Sequence, residues 1–195
     1  HDIVTHQVHN KMRVTDSATL DVIKQVVGKL RIDVEASFSM GLINSPMHGA
    51  DLTLASGNFI VAKPFGIQNG IDFGLTGEVR KVEVDAIRKQ LDNGNIVLVS
   101  SLGYSPTGEV FNLTVEDVAC STAIALKADK LLIYGSEAGI LDQDGERISK
   151  LSAEEAQALI KEKVAQTGID DELRNLELGV KACGATVKRS QVISY

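Results

Sequence analysis

Tryptophan is absent from the 195-residue chain and aromatic side chains make up only 4% of it, so there are few flat surfaces on which unpaired bases could stack. Positive charge is also short. Lys and Arg number 20 against 26 Asp and Glu, a net charge of −6, whereas phosphate neutralisation needs clustered cations. Nucleic acid is set aside as a main partner, which leaves small molecules and other protein chains. Apolar runs are short, "NIVLV" and "LLIY" being typical, far below the roughly 20 residues that span a bilayer. No membrane segment is expected. The opening "HDIVTHQVHNK" lacks the apolar core of a secretory signal, and the two cysteines, Cys120 and Cys183, fall inside predicted helices as buried structural thiols rather than nucleophiles. A reduced, cytoplasmic setting is the expectation. His1, His6 and His9 stand five and three residues apart, a spacing that no helical face unites, so a loose terminus is a simpler account than a metal site.

With 44% hydrophobic residues the chain can bury a full core. Leu20, Ile23, Val27, Leu30, Val34 and Phe38 recur three or four apart, the apolar stripe of a long helix opened by Asp16 or Ser17 and ended by Gly41. "DLTLAS" and "NFIVAKP" read as short strands split by the turn residues Ser56, Gly57 and Asn58, a hairpin. "GEVRKVE" is extended, and "VDAIRKQLDNG" is a short helix with Ile87 and Leu91 inward, closing on Asn93 and Gly94.

Next come the strand "NIVLVSS", a loop rich in glycine and serine, a helix from Thr114 and the strand "KLLIY". Residues 96 to 134 thus read as a β-α-β unit with parallel strands. Thr114 and Asp117 form a variant capping box, with Asn112 just ahead, its polar side chain facing the unpaired N–H groups of the first turn. "GILDQDGERISKLS" is a small β excursion turning at Asp144 and Gly145, and Ser152 with Glu155 caps the helix that follows. A last helix near residues 170 to 183, stopped by Gly184, and the strand "VKRSQVISY" complete an α/β chain. This class binds ligands at the carboxyl ends of its strands, which points to the loop before Thr114. "NLT" at Asn112 matches a glycosylation acceptor by coincidence, given the absence of a signal.

The segments "MRVTD", "IVLVSSLGYSPTGEVFNLTVEDVA", "ADKLLIYGSEAGILDQDGERISKLSAEEA" and "LELGVKACGATVKRSQVISY" resemble, in order and over nearly the whole chain, the amino-acid kinase superfamily, and in particular the kinase-like domain of the bacterial N-acetylglutamate synthases. The resemblance implies a three-layer α/β/α sandwich with a mainly parallel sheet, incomplete here, plus a β-hairpin region. It also implies one kinase-like domain over 1–195, with an acylamino-acid lobe at 1–126 and a nucleotide-like or effector lobe at 127–195. The chain reads as cut at both ends, the Gly-rich phosphate loops missing before it and an acetyltransferase domain expected after it.

The resemblance further implies that Arg13 grips an acylglutamate carboxylate and that Asn112 binds the same ligand from the opposite side. Arg offers a bidentate fork, and Asn both a donor and an acceptor. On residue chemistry alone Arg13 reads first as a surface ion pair before a helix and Asn112 as a local turn bond. Where the kinases carry aspartate this chain has Glu116, where they carry lysine it has Arg174, and Ser136 stands in place of the aspartate that ends the nucleotide strand. Arg is a planar fork and Lys a point charge, so the constellation implies that phosphoryl transfer is lost. No catalytic residue, metal or cofactor is expected in this chain. For the parent, the resemblance implies acetylation of glutamate from acetyl-CoA, L-arginine as feedback effector bound around the C-terminal helix and strand, and a homo-oligomer. The alternatives are an N-acetylglutamate kinase fragment and a purely structural oligomerisation module.

Overall fold

Asp16 has extended backbone, and its carboxylate accepts the Thr19 N–H at 2.7 Å, which opens α1 (Ser17–Phe38) where the sequence places it. The computed structural model describes residues 13–40, 49, 51–135, 140, 142, 146–167 and 171–194, with only the backbone at 165–167, 171, 172 and 194. Gly41, expected to end α1, lies outside these. The apolar stripe of α1 is less covered than its period suggests: Leu20 is buried, but Leu30 and its neighbour Val26 are 59% and 60% exposed. Periodicity says which face is apolar. It does not say that the same chain supplies the cover.

The chain forms two compact units, His1–Val118 and Ala119–Tyr195. In the first, β1 (Leu54–Ser56) is followed by β2 (Ile60–Pro64), yet the two do not form the expected hairpin. β1 pairs in parallel with β6 (Ile96–Leu98), and β2 pairs antiparallel with β5 (Gly77–Val82). The Ser56, Gly57, Asn58 turn passes the chain from one sheet to another, with Gly57 tucked under the Phe59 ring. Between them β3 (Ile67–Gln68) and β4 (Ile71–Asp72) form a tight hairpin on Asn69 (φ 51) and Gly70 (φ 79), two positive φ values that suit a primed turn. α2 (Val84–Asp92) buries Ile87, while Leu91, expected inward, is 46% exposed. A helix of about 2.5 turns leaves its last turn at the surface, where Gly94 closes it with φ 79.

The loop expected between the strand at 96 and the helix at 114 is itself structured. β7 (Leu102–Tyr104) and β8 (Val110–Asn112) pair antiparallel, and Ser105 donates its N–H to Glu109 O at 2.9 Å across the turn. They extend a four-stranded sheet in the order β5-β2-β7-β8. α3 (Val115–Leu126) then begins with Asp117 N–H donating to Thr114 Oγ1 at 3.3 Å, half of the expected box. The other half is diverted, because the shorter Asp117 carboxylate accepts the Val79 N–H of β5 at 3.2 Å.

In the second unit β9 (Lys130–Gly135) pairs in parallel with β10 (Arg189–Ser194), and α4 (Ala153–Thr167) and α5 (Asp171–Ala185) make the crossover. The two strands expected to pair with each other around α3 find their parallel partners elsewhere, β6 with β1 and β9 with β10. Ser152 N–H donates to Glu155 Oε2 at 2.7 Å and Glu155 N–H to Ser152 Oγ at 3.2 Å, the full capping box. Gly184 is helical rather than a stop, since α5 runs on to Ala185. The turn at Asp144 and Gly145 lies outside the described residues, but Ile148 N–H donates to Ile140 O at 2.8 Å on its flanks. Cys120 is fully buried against Leu178 and Ala182, as expected; Cys183 is only partly buried and lines an open cavity of about 110 Å³ with Leu151, Asn175, Val180 and Ser190.

Two glycines should respond oppositely to alanine. A Cβ at Gly77 would stand 2.7 Å from Phe111 Cβ and 2.9 Å from Lys63 O, whereas one at Gly28, inside α1, would meet nothing within 4 Å. Gly77→Ala should destabilise by about 1–3 kcal/mol and Gly28→Ala stabilise by about 0.4–1 kcal/mol, both read as shifts of the urea midpoint. A second expectation concerns pH. Lys188 Nζ and Asp129 Oδ1 are 2.6 Å apart at the open end of the β9–β10 pair. The hydrogen bond and charge of Lys188 lower the Asp129 carboxyl from its ordinary 3.8, and those of Asp129 raise Lys188 above 10.5. The carboxylate's contribution is complete above its ordinary value and lost as pH falls through the depressed one; the ammonium's is complete below 10.5 and lost as pH rises through the raised one. Asp129→Asn should therefore lower the melting temperature slightly near neutrality and not in strong acid, and added salt should shrink the difference because both groups are exposed.

Candidate functional site

Three segments distant in sequence meet in the first unit: residues 13–15, the link from β4 to β5, and the end of β8. Their backbones interlock, with Thr15 N–H donating to Phe73 O at 3.3 Å, Leu75 N–H to Thr15 O at 2.7 Å and Asn112 N–H to Leu75 O at 2.9 Å. Gly74 sits where the first two cross, with φ 57, and a Cβ there would fall 2.6 Å from Thr15 O. Only glycine suits both demands. The link is anchored by Phe73, 2% exposed, whose ring meets Phe65 edge-on at 4.7 Å. Asp72 Oδ1 accepts the Gly74 N–H at 2.9 Å, holding the bend.

Inside this junction lies a line of polar side chains. Asn112 Nδ2 donates to Thr15 Oγ1 at 3.1 Å, Thr15 Oγ1 and Thr76 Oγ1 are 2.9 Å apart, and Thr76 Oγ1 donates to the Arg13 carbonyl oxygen at 2.6 Å. Thr15 is wholly buried and Thr76 nearly so, and the line satisfies both hydroxyls. It also joins the two residues that sequence reading singles out. Arg13 is exposed, and its guanidinium makes no ion pair among the described residues. Asn112 is half-buried; its side chain turns to Thr15 rather than to the first turn of α3, and among the described residues its Oδ1 accepts no hydrogen bond. The junction thus brings the Arg13 backbone and the Asn112 amide together from adjoining segments.

Of the three positions that depart from the kinase pattern, Glu116 is half-buried in the first turn of α3, in the first unit, and Arg174 is half-buried on α5, in the second. Ser136 lies outside the described residues, as do His1, His6 and His9. With Glu116 and Asp117 in its first turn, α3 already carries carboxylates where a helix start would otherwise attract an anion. Among the described residues no cluster of His, Cys, Asp and Glu could hold a metal ion, and no helix is long and apolar enough to cross a membrane. Sequence reading missed Thr15 and Thr76, whose only signal is a polar residue at an inward position. It also missed the Asn69-Gly70 turn, whose signature was in plain view.

The comparisons with known proteins agree with this architecture. The amino-acid acetyltransferase of Ectopseudomonas mendocina is 44% identical over 192 residues, 98% of this chain and 44% of that protein. The amino-acid acetyltransferase of Photobacterium profundum is 46% identical over the same shares. The solved N-acetylglutamate synthase from Neisseria gonorrhoeae, complexed with coenzyme A and L-arginine, matches with a TM-score of 0.86 and 34% identity over 97% of this chain and 43% of that one. The chain spans less than half the length of the curated relatives it matches. Residues 2–176 match the family described as Amino acid kinase family, and the chain belongs to it.

Proposed function

We propose that this chain is the kinase-like domain of an N-acetylglutamate synthase: the parent acetylates glutamate from acetyl-CoA, and this domain serves arginine regulation and assembly without chemistry of its own. The observation that carries the reading is the likeness, over 97% of the chain at 34% identity, to a synthase holding coenzyme A and L-arginine. A second solved form of that synthase holds coenzyme A and N-acetyl-glutamate. The junction around Arg13 and Asn112 is then an inherited site for an acylglutamate-like ligand. Glu116, Ser136 and Arg174 favour this reading over phosphoryl transfer, since the exchange of a point charge for a planar fork changes how a transferring phosphoryl group is held. The assembly role draws on α1, where Val26 and Leu30 stand one turn apart and more than half exposed; a homo-oligomer would cover them.

Three measurements on the whole parent protein test this. Coenzyme A release from acetyl-CoA should depend on glutamate and change with L-arginine, while ADP release from ATP with N-acetylglutamate should stay at background. Turnover in the second assay would make the protein a kinase instead. Val26→Glu with Leu30→Glu should lower the sedimentation mass at unchanged far-UV circular dichroism; an unchanged mass would remove α1 from the contact.

A further inference from the structure

Asn175, Gly179 and Cys183 are spaced four apart on α5 and so stack along one face of the helix. With Ser190 of β10 they border the cavity of about 110 Å³ in the second unit. Ser190 stands in register with Leu131, which is buried against Cys120 and Leu178, so both residues point to the helix side of the strand pair. The Ser190 hydroxyl oxygen is sealed from solvent and has no hydrogen-bond partner, a state that buried polar groups rarely keep. Gly179 leaves it open, because a Cβ there would stand 3.0 Å from Ser190 Oγ. Among the described residues the side chains of Asn175 and Cys183 make no hydrogen bond either. Three polar groups with unused capacity therefore converge on one cavity.

We propose that this cavity is a binding site for a small neutral amide with a short apolar tail, its amide pairing with Ser190 and Asn175 and its tail lying against Leu151, Ala156 and Val180. Asn and Ser side chains each offer a donor and an acceptor, and an amide brings one of each on a single flat group. Size sets the tail. An apolar cavity of about 150 Å³ takes benzene, so this one suits about four or five non-hydrogen atoms. Charge sets the class: among the described residues no Asp, Glu, Lys or Arg lines the cavity, and a charged ligand would lose its water without gaining an ionic partner. The family resemblance places the arginine effector around the C-terminal helix and strand, but a guanidinium and a carboxylate find no counter-charge in this lining. The site is thus distinct in chemistry from the arginine and acylglutamate sites.

The test uses the whole parent protein with propionamide as probe and Cys183 as reporter, its thiol modified by methyl methanethiosulfonate and followed by peptide mass mapping. Cys120, fully buried, is the internal control. Propionamide should slow the modification of Cys183 by the factor 1 + [L]/Kd, about tenfold at ten times Kd, whereas propionate, of the same shape but charged, and L-arginine should leave the rate unchanged. Ser190→Ala and Asn175→Ala should each weaken propionamide binding about 3- to 10-fold, and Gly179→Ala, which builds a methyl beside Ser190, should abolish it. Ser190→Ala should leave the urea midpoint unchanged or higher, since it removes a hydroxyl with no partner, so its loss of binding is not a loss of fold. It also serves if Gly179→Ala fails to fold. No protection by propionamide in the wild type, or protection that survives the Ser190 and Gly179 variants undiminished, overturns the proposal, and the cavity then holds water only. Protection by L-arginine overturns it equally, making the cavity part of the effector site.

Discussion

A hydroxyl sealed from water governs the first unit. An unsatisfied buried polar group costs about 1–3 kcal/mol, so Thr15 can be buried only where partners reach it from both sides, and those partners stand 61 and 97 residues away in the chain. Meeting that condition brings the segment before α1, the link after β4 and the end of β8 to one point. Gly74 permits the approach by having no side chain. The Phe65–Phe73 contact supplies the apolar floor. What faces outward from the junction is a by-product of what must be satisfied within it.

The same sheet depends on missing side chains elsewhere. Leu113 lies across Gly77 and Gly103, with its methyl carbons 3.1 Å and 2.7 Å from where their Cβ atoms would be. Interiors packed at crystal-like density tolerate no extra carbon there. This packing, with Ile60 and Ala62 of β2 turned inward, seats β7 and β8 beside β2 and so sets where Asn112 ends. A fold by itself assigns no function; here it supplies a mount on which the side chains at the end of β8 can be exchanged.

Local chemistry carried the elements whose signals are local. The Asp16 cap, the Ser152–Glu155 box and the Gly94 stop were legible because each is settled within a few residues. Pairing was not. Ser56, Gly57 and Asn58 have turn chemistry whether the chain returns along the same sheet or leaves it, and β1 is too short for alternation to decide. The β7–β8 hairpin was hidden by glycine, serine and proline, residues as common in loops as in tight two-strand turns. Arg13 and Asn112 came from a pattern of segments matched to a family, and nothing local linked them; Thr15 and Thr76, the atoms between, are visible only once the chain is folded.

The parallel pairing of β9 with β10 has a consequence for synthesis. Corresponding residues, such as Lys130 and Arg189, are far apart in the chain, as is the neighbouring Asp129–Lys188 pair, at a separation of 59. At roughly 5–20 residues per second, β9 leaves the ribosome about 3–12 s before its partner. During that interval Leu131 and Ile133, which later pack against Cys120 and Ala182, have no sheet neighbour on that edge. A bare apolar edge is a template for the wrong chain. The intervening α4 and α5 can form early from local contacts, so the nascent unit waits as two helices beside an unpaired strand, the stage at which a cell crowded with copies of this chain must keep them apart.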